Sequence, residues 1–273
     1  MIMLLKIEWL KLRRYIVFIL MSIFFAVGIV ALNYIVYRAN RDIVKNVPGA
    51  GLVSFSPYNF DTTWQSTSYA AGFILLLPSL LLVLLFTNEY TFKTHRQNII
   101  DGLSRRQFIQ VKFAMAMIFA LVSTFIVFLT ALGFGLASGT SFSLHGIEFV
   151  GYFFLKALSY NLIAVLLCVL IRRTAFATGV FFIYMGGENI VSQLLNFYSI
   201  KLKREDNIDL GNFGDYLPMN ASDSLLAFPD NPLKNLSKAI MPTDHTWIAF
   251  TLTLVYIVIF YVWARWKFLK ADL

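Results

Sequence analysis

Few side chains in this 273-residue chain have the types and spacings that catalysis needs. The three histidines, His95, His145 and His245, lie far apart in polar segments, which argues against a metal site. The single cysteine, Cys168, excludes an intrachain disulfide and a cysteine cluster. The sequence has no phosphate-binding loop, zinc-protease motif or nucleophile elbow. We therefore predict no catalytic residue and no metal, and an enzyme is the weakest interpretation.

Two ionisable residues, Lys156 and Glu188, lie inside apolar runs, where a charge is costly and needs a partner. At about 1.5 Å per residue, both lie roughly 20 Å from the ends at which these two runs are joined. Because the joining turn is tight, the two runs should be neighbours. We predict that Lys156 pairs with Glu188, with Asn161 and Asn189 as polar neighbours. The alternative is that each charged side chain extends towards the outer headgroups.

The composition of the chain predicts the class of protein to which these groups belong. Hydrophobic residues make up 58% of the chain and charged residues 14%, whereas a soluble domain carries roughly 25% charge. The chain is therefore predicted to be an all-α integral membrane protein, a single domain over 1–273. Six apolar runs approach the roughly 20 residues that cross a bilayer. They are about Tyr15–Tyr37, Thr67–Thr87, Val111–Ala137, Phe149–Ile171, Ala175–Phe197 and Thr246–Ala264.

The distribution of basic residues predicts the orientation. They are concentrated in the N-terminal segment, the loop around Arg96, the Arg172-Arg173 turn and the C-terminus. The positive-inside rule places these segments, and both termini, in the cytoplasm. Topology therefore accounts for the net charge of +8 without a nucleic-acid partner.

Three of the polar segments outside the six runs bear on function. Residues 1–14 carry an apolar stripe and are predicted to be an interfacial helix, or else only a basic anchor. The external segment 198–245 is either a lid over an exit path or a solvated connector.

The third polar segment, Asn88–Lys112, is the most informative. A helix there would present an apolar face made by Phe92, Ile99, Ile100 and Leu103. Gly102 suits a left-handed helix end, and Ser104 with Gln107 forms a capping-box pattern that starts the next helix. The pattern predicts a rigid docking helix for a soluble partner; the alternative is an ordinary loop whose charges only fix topology.

This architecture resembles the membrane permease subunit of ABC exporters of the second export-permease superfamily, which includes multidrug, sodium, bacitracin and lantibiotic-immunity permeases. The resemblance covers essentially the whole chain. Its most specific part is the family's coupling-helix region, matched here by Glu89-Tyr90, Thr94, Arg96, Asp101-Gly102-Leu103-Ser104-Arg105 and Phe108.

The resemblance implies that 88–110 is a coupling loop that docks on a separate ATPase subunit, which binds ATP and Mg²⁺, while residues 1–14 form the elbow helix. It also implies a second permease chain and a bacterial cytoplasmic membrane. The expected coupling residues are Glu89, Phe92, Arg96, Ile99, Ile100, Asp101, Gly102, Leu103, Ser104, Arg105 and Phe108. Among these, the four apolar residues named above would dock, and Arg96, Asp101 and Arg105 would pair with partner charges. Glu89 would hold the loop to its own bundle.

Two other classes remain open. A membrane scaffold or sensor would use the same loop to bind a partner without ATP hydrolysis. An ion-coupled secondary transporter would be expected to show two repeated halves, and no convincing repeat is seen. The sequence does not identify the transported substrate.

Overall fold

The computed structural model describes residues 2–46, 58–100, 102–206, 209–229 and 245–270, and these ranges contain helices and no strand. The helices are α1 (Ile2–Leu12), α2 (Ile16–Asn46), α3 (Phe60–Ile74), α4 (Leu76–Thr91), α5 (Thr94–Ile100), α6 (Arg105–Ala137), α7 (Glu148–Ile171), α8 (Thr174–Asp206), α9 (Asn220–Ser224) and α10 (Thr246–Lys270), with a 3-10 turn over Phe213–Tyr216.

In this described part of the chain, four helices are long and apolar enough to cross a membrane: α2 over Ile16–Arg38, α6, α7 and α10. The pair α3–α4 adds a fifth if it is one bent span. The chain is thus an all-helical, multi-pass membrane protein. The fifth predicted span falls in α8, which has 33 residues but is too polar to qualify. Six spans therefore remain a prediction.

The four segments predicted to be cytoplasmic lie together at one end of the bundle, which we call the inner end. Three contacts join them: Lys11 with Glu89, the Arg172 guanidinium with the Tyr90 ring, and the Phe108 ring with the Phe268 ring. The opposite end, called the outer end, holds the loop between α6 and α7, where the Trp64 indole N–H donates to the Ser143 carbonyl at 3.0 Å.

The bend between α3 and α4 has a local cause. The two helices meet at Leu75 at an angle of 40°. Pro78 lies in the first turn of α4, and it has no N–H to donate to the carbonyl of Ile74, four residues earlier. Pro78 therefore accounts for the kink, which lies one turn before the proline.

Helix α7 lies at the centre of the bundle. It packs against α3, α4, α6, α8 and α10, and most of its residues are buried. The main hydrophobic core includes Phe153, Ala157, Ala164 and Val165 of this helix, all inaccessible to solvent. A polar or charged residue on α7 must therefore find its partners within the protein, because water does not reach it.

Candidate coupling site

Helix α5 is a short rigid element between two left-handed residues. Before it, Lys93 has φ 56°, and this left-handed residue ends the helical path of α4 and turns the chain. After it, Gly102 has φ 100°, and two hydrogen bonds close the helix end: Gly102 N–H to the Ile99 carbonyl at 3.1 Å and Leu103 N–H to the Asn98 carbonyl at 3.0 Å. These are the two bonds of a Schellman motif, which explains why glycine stands at position 102.

The next helix starts as the sequence indicates. The Ser104 hydroxyl accepts from the Gln107 N–H at 3.2 Å, and the Gln107 side chain accepts from the Ser104 N–H at 3.0 Å. This reciprocal capping box satisfies two backbone donors at the start of α6. The geometry between α5 and α6 is therefore fixed by local bonds on both sides of the four-residue connection 101–104.

The expected coupling residues differ in accessibility. Phe92 and Ile100 are 72% and 78% exposed, and Arg96 is also exposed. Ile99, Leu103 and Arg105 are half-buried, while Ser104 is exposed. Asp101 lies outside the described residues.

Two details of the predicted coupling site need correction. Phe92 is not part of α5, because the left-handed Lys93 separates it from that helix, so the four apolar residues do not share one helical face. Phe108 is 2% exposed and its ring stacks on that of Phe268, with centroids 5.3 Å apart. It is a core residue, and any effect on coupling would act through packing.

A cluster of four charged side chains lies beside α5; we call it the inner cluster. Lys112 of α6 bonds Glu89 of α4 at 2.8 Å and Glu8 of α1 at 3.0 Å. Lys11 of α1 bonds the same two carboxylates at 3.0 Å each. The side chain of Lys112 is 5% exposed and its ammonium group also lies 5.1 Å from the centre of the Phe108 ring. Two positive and two negative charges thus neutralise one another between three helices.

The neighbours of this cluster set the protonation of its α1 members. Burial alone would raise the pKa of Glu8, but the nearby ammonium groups of Lys112 and Lys11 together lower that pKa below its ordinary value of 4.5. Burial would likewise lower the pKa of Lys11, but the carboxylates of Glu89 and Glu8 raise it above 10.5. Both effects favour the charged forms.

The predicted pairing of Lys156 with Glu188 is wrong in this structure. The Lys156 ammonium instead lies 3.2 Å from the Asp223 carboxylate, which also accepts a hydrogen bond from the Tyr160 hydroxyl at 3.0 Å. Gly72 of α3 makes room for the lysine, because a Cβ there would lie 2.9 Å from the ammonium nitrogen.

Glu188 is held through backbone groups by the same segment that supplies Asp223, the one after α8. One of its carboxylate oxygens accepts from the N–H groups of Met219 and Asn220, at 2.5 and 2.8 Å, and from the Asn220 side-chain amide at 3.2 Å. We call Lys156, Tyr160, Glu188, Asn220 and Asp223 the outer cluster. Both buried charges have partners from the segment after α8, since 219–223 folds back into the bundle.

The two asparagines that were predicted to be neighbours of Lys156 and Glu188 make their bonds elsewhere. Asn161 is buried and binds the Ser79 hydroxyl at 2.9 Å and the Ala116 carbonyl at 2.9 Å, so it joins α7 to α4 and α6. Asn189 is exposed, and its amide donates to the Met185 carbonyl of its own helix at 2.9 Å. Neither contributes a bond to Lys156 or Glu188.

The sequence argument missed Glu8, Lys11, Lys112 and Asp223. In the sequence, Lys112 lies at the end of the polar segment Asn88–Lys112 and Asp223 lies within the polar segment 198–245, and neither position indicates a specific partner. A usable signal was present in the latter segment, because Leu225 and Leu226 follow Asp223 and are buried, at 1% and 4% exposed. An apolar pair within a polar segment, two residues after Asp223, indicates a segment that packs on the bundle.

Comparison with known families agrees with the architecture. A family model described as ABC-2 family transporter protein matches residues 4–187, more than half of the chain. The chain belongs to the ABC-2 transporter family. The matched region contains α1, the bent pair, α5, α6, α7 and the first part of α8. No curated protein matches this chain.

Family membership makes the chain a membrane component of an ABC transporter and implies association with an ABC ATPase. It also places the inner cluster and α5 inside the matched region, whereas Glu188, Asn220 and Asp223 of the outer cluster lie beyond it.

Proposed function

We propose that this chain is the permease subunit of an ATP-driven exporter and that α5 with its flanking residues docks on the ATPase. The observation that carries this proposal is the exposure of Ile100 on a short helix that is fixed at both ends, together with that of Phe92 two residues before the helix. Large apolar side chains exposed at a polar end of a membrane protein favour a protein partner. The partner would bind ATP and Mg²⁺, and this chain would supply the path through the bilayer.

The test is affinity purification from native membranes in mild detergent. We expect an ATPase subunit to co-purify with the unchanged chain and to be lost from Phe92→Asp and Ile100→Asp. Each substitution introduces a charge at an exposed position, so the permease itself should still fold. Ile99 and Leu103 are poorer targets because both are half-buried.

A matched control distinguishes docking from general damage. Leu144→Asp makes the same change at a 55% exposed residue of the outer end and should retain the ATPase. If the unchanged chain purifies without any ATPase, the scaffold or sensor interpretation replaces the exporter. If all three variants retain the ATPase, another surface is used for docking.

We also propose that the functional permease contains two copies of this chain, with α8 at their contact. The exposed face of α8 carries Gly186, Asn189 and Gln193 at helical spacing. Amide side chains facing lipid are costly, whereas a second helix offers them hydrogen bonds and the glycine permits a close approach. Asn189→Cys is expected to cross-link two copies in membranes. Ile259→Cys on the exposed face of α10 is the matched control, and equal cross-linking of the two would contradict this contact.

In this proposal the transporter works in the cytoplasmic membrane with the inner end in the cytoplasm. The clustering of basic residues at that end supports this orientation. A cysteine at Arg96, on α5, should be blocked by a membrane-impermeant thiol reagent only in inside-out vesicles. If the cysteine is instead blocked in right-side-out vesicles, the inner end faces outwards, and both the proposed orientation and the proposed direction of transport are wrong.

A further inference from the structure

Glu89 has bonds to three other elements at once. Its carboxylate accepts from Lys11 of α1 and Lys112 of α6, at 3.0 and 2.8 Å. Its backbone carbonyl lies 3.0 Å from Nδ1 of His95 in α5, whose ring packs 4.8 Å from that of Tyr90. If α5 moves, the contact of His95 with the backbone carbonyl moves Glu89, and the bonds of the Glu89 carboxylate to Lys11 and Lys112 then move α1 and α6.

The inner cluster resists separation of these elements. Glu89 and Lys112 are 7% and 4% exposed, so their charges are largely shielded from water and the ion pair is strong. Lys112 bonds both Glu8 and Glu89, and Lys11 does the same. Moving α1 away from α4 and α6 would break two of the four ion pairs, Lys11–Glu89 and Lys112–Glu8, and would leave Lys112 and Glu89 with only each other as charged partners. That is more costly than moving the three helices together.

The cluster is separate from the proposed docking surface. None of its four members belongs to α5, and none is among the exposed apolar residues that would contact an ATPase. Loss of one cluster member should therefore leave docking intact and change only how movement passes beyond α5.

We propose that Glu89 and Lys112 are positioning residues for coupling, which bind α1 to α5 and to the inner part of α6 so that the three move as one body. This inference rests on the proposed function, because it takes α5 as the point where the ATPase acts. Under it, α1 is part of the moving unit and not only an anchor on the membrane surface.

The test measures the distance between α1 and α5 with spin labels on Lys6→Cys and Thr94→Cys, both exposed positions, in a Cys168→Ala background. In the permease alone we expect one narrow distance, which stays the same after the ATPase complex is trapped with a non-hydrolysable ATP analogue. Glu89→Gln should reduce the population at that distance by about fivefold or more.

Reversal of all four charges provides the rescue. Glu8→Lys, Lys11→Glu, Glu89→Lys and Lys112→Glu together recreate every ion pair with opposite signs, and should restore the narrow distance that Glu89→Gln loses. Lys201→Gln removes the exposed pair with Glu205 and is the control that should change nothing.

Failure of the proposed role of the inner cluster and failure of the proposed function would give different results. A narrow distance in Glu89→Gln, or a wild-type distance that shifts on trapping, would overturn the role of the cluster. Absence of any ATPase from the wild-type preparation would instead overturn the proposed function, and the distance measured in the permease alone would still test whether the cluster joins α1 to α5.

Discussion

The inner and outer clusters bury charge in different ways. In the inner cluster, two lysines and two glutamates neutralise one another, and every partner is a side chain of α1, α4 or α6. In the outer cluster, Glu188 is held mainly by backbone N–H groups and Lys156 by Asp223, and these partners belong to the segment that follows α8. The inner cluster therefore joins helices to helices, whereas the outer cluster attaches an inserted segment to the bundle.

This difference predicts different consequences of breaking each cluster. Loss of an inner charge should weaken the packing of α1, α4 and α6 together. Loss of an outer charge should release the inserted segment while the helices remain packed.

Lys112→Met should have the largest effect. It leaves the carboxylates of Glu8 and Glu89 with Lys11 as their common partner, and removing one member of a buried ion pair typically costs about 3–5 kcal/mol. The measurement is the free energy of unfolding in mixed micelles titrated with a denaturing detergent. A loss below about 1 kcal/mol, the value typical of exposed pairs, would show that the cluster is effectively solvated.

Asp223→Asn should have a smaller and more local effect. The Lys156 ammonium would lose its charged partner and keep the Tyr160 ring, whose centre is 5.5 Å away. A charged hydrogen bond contributes about 1.5–3 kcal/mol, so hydrogen exchange at the amides of Met219 and Asn220 should accelerate. Exchange in α7 should be unchanged. Equal acceleration in both regions would mean that the inserted segment and the helices unfold together.

The inner cluster also predicts a pH dependence. The Glu8 contribution is fully present above its ordinary pKa of 4.5 and is lost as the pH falls through its lowered folded value. The Lys11 contribution is fully present below 10.5 and is lost as the pH rises through its raised folded value. Between these limits the narrow distance between α1 and α5 should not change. A transition near neutral pH would point to another titrating group.

Lys201→Gln should have the smallest effect. Lys201 and Glu205 form a pair on α8 at 3.7 Å, with side chains 56% and 61% exposed. Such pairs contribute about 0–1 kcal/mol, and salt weakens them further. The unfolding measurement used for Lys112→Met provides the comparison, and a similar loss in both variants would remove the distinction between buried and exposed pairs.

Local features of this fold could be predicted from the sequence, and long-range partners could not. The Gly102 joint, the capping box at Ser104 and the kink before Pro78 depend on residues within four positions of one another. The Lys156–Asp223 pair joins residues 67 positions apart, and the Lys112–Glu8 pair joins residues 104 positions apart. Only the tertiary packing determines such pairs, because several carboxylates are equally plausible partners in the sequence.

The bend at Leu75 allows α4, the inner half of the α3–α4 pair, to act as a lever. Glu89 lies 14 residues beyond Leu75, which is about 21 Å along a helix. A rotation of α4 by about 10° about the bend would move Glu89 by about 4 Å, while the outer half of the span, packed beside Lys156, stayed in place. Such a stroke exceeds the 2.8 Å separation of Glu89 and Lys112, so it can occur without breaking their bond only if α6 travels as well.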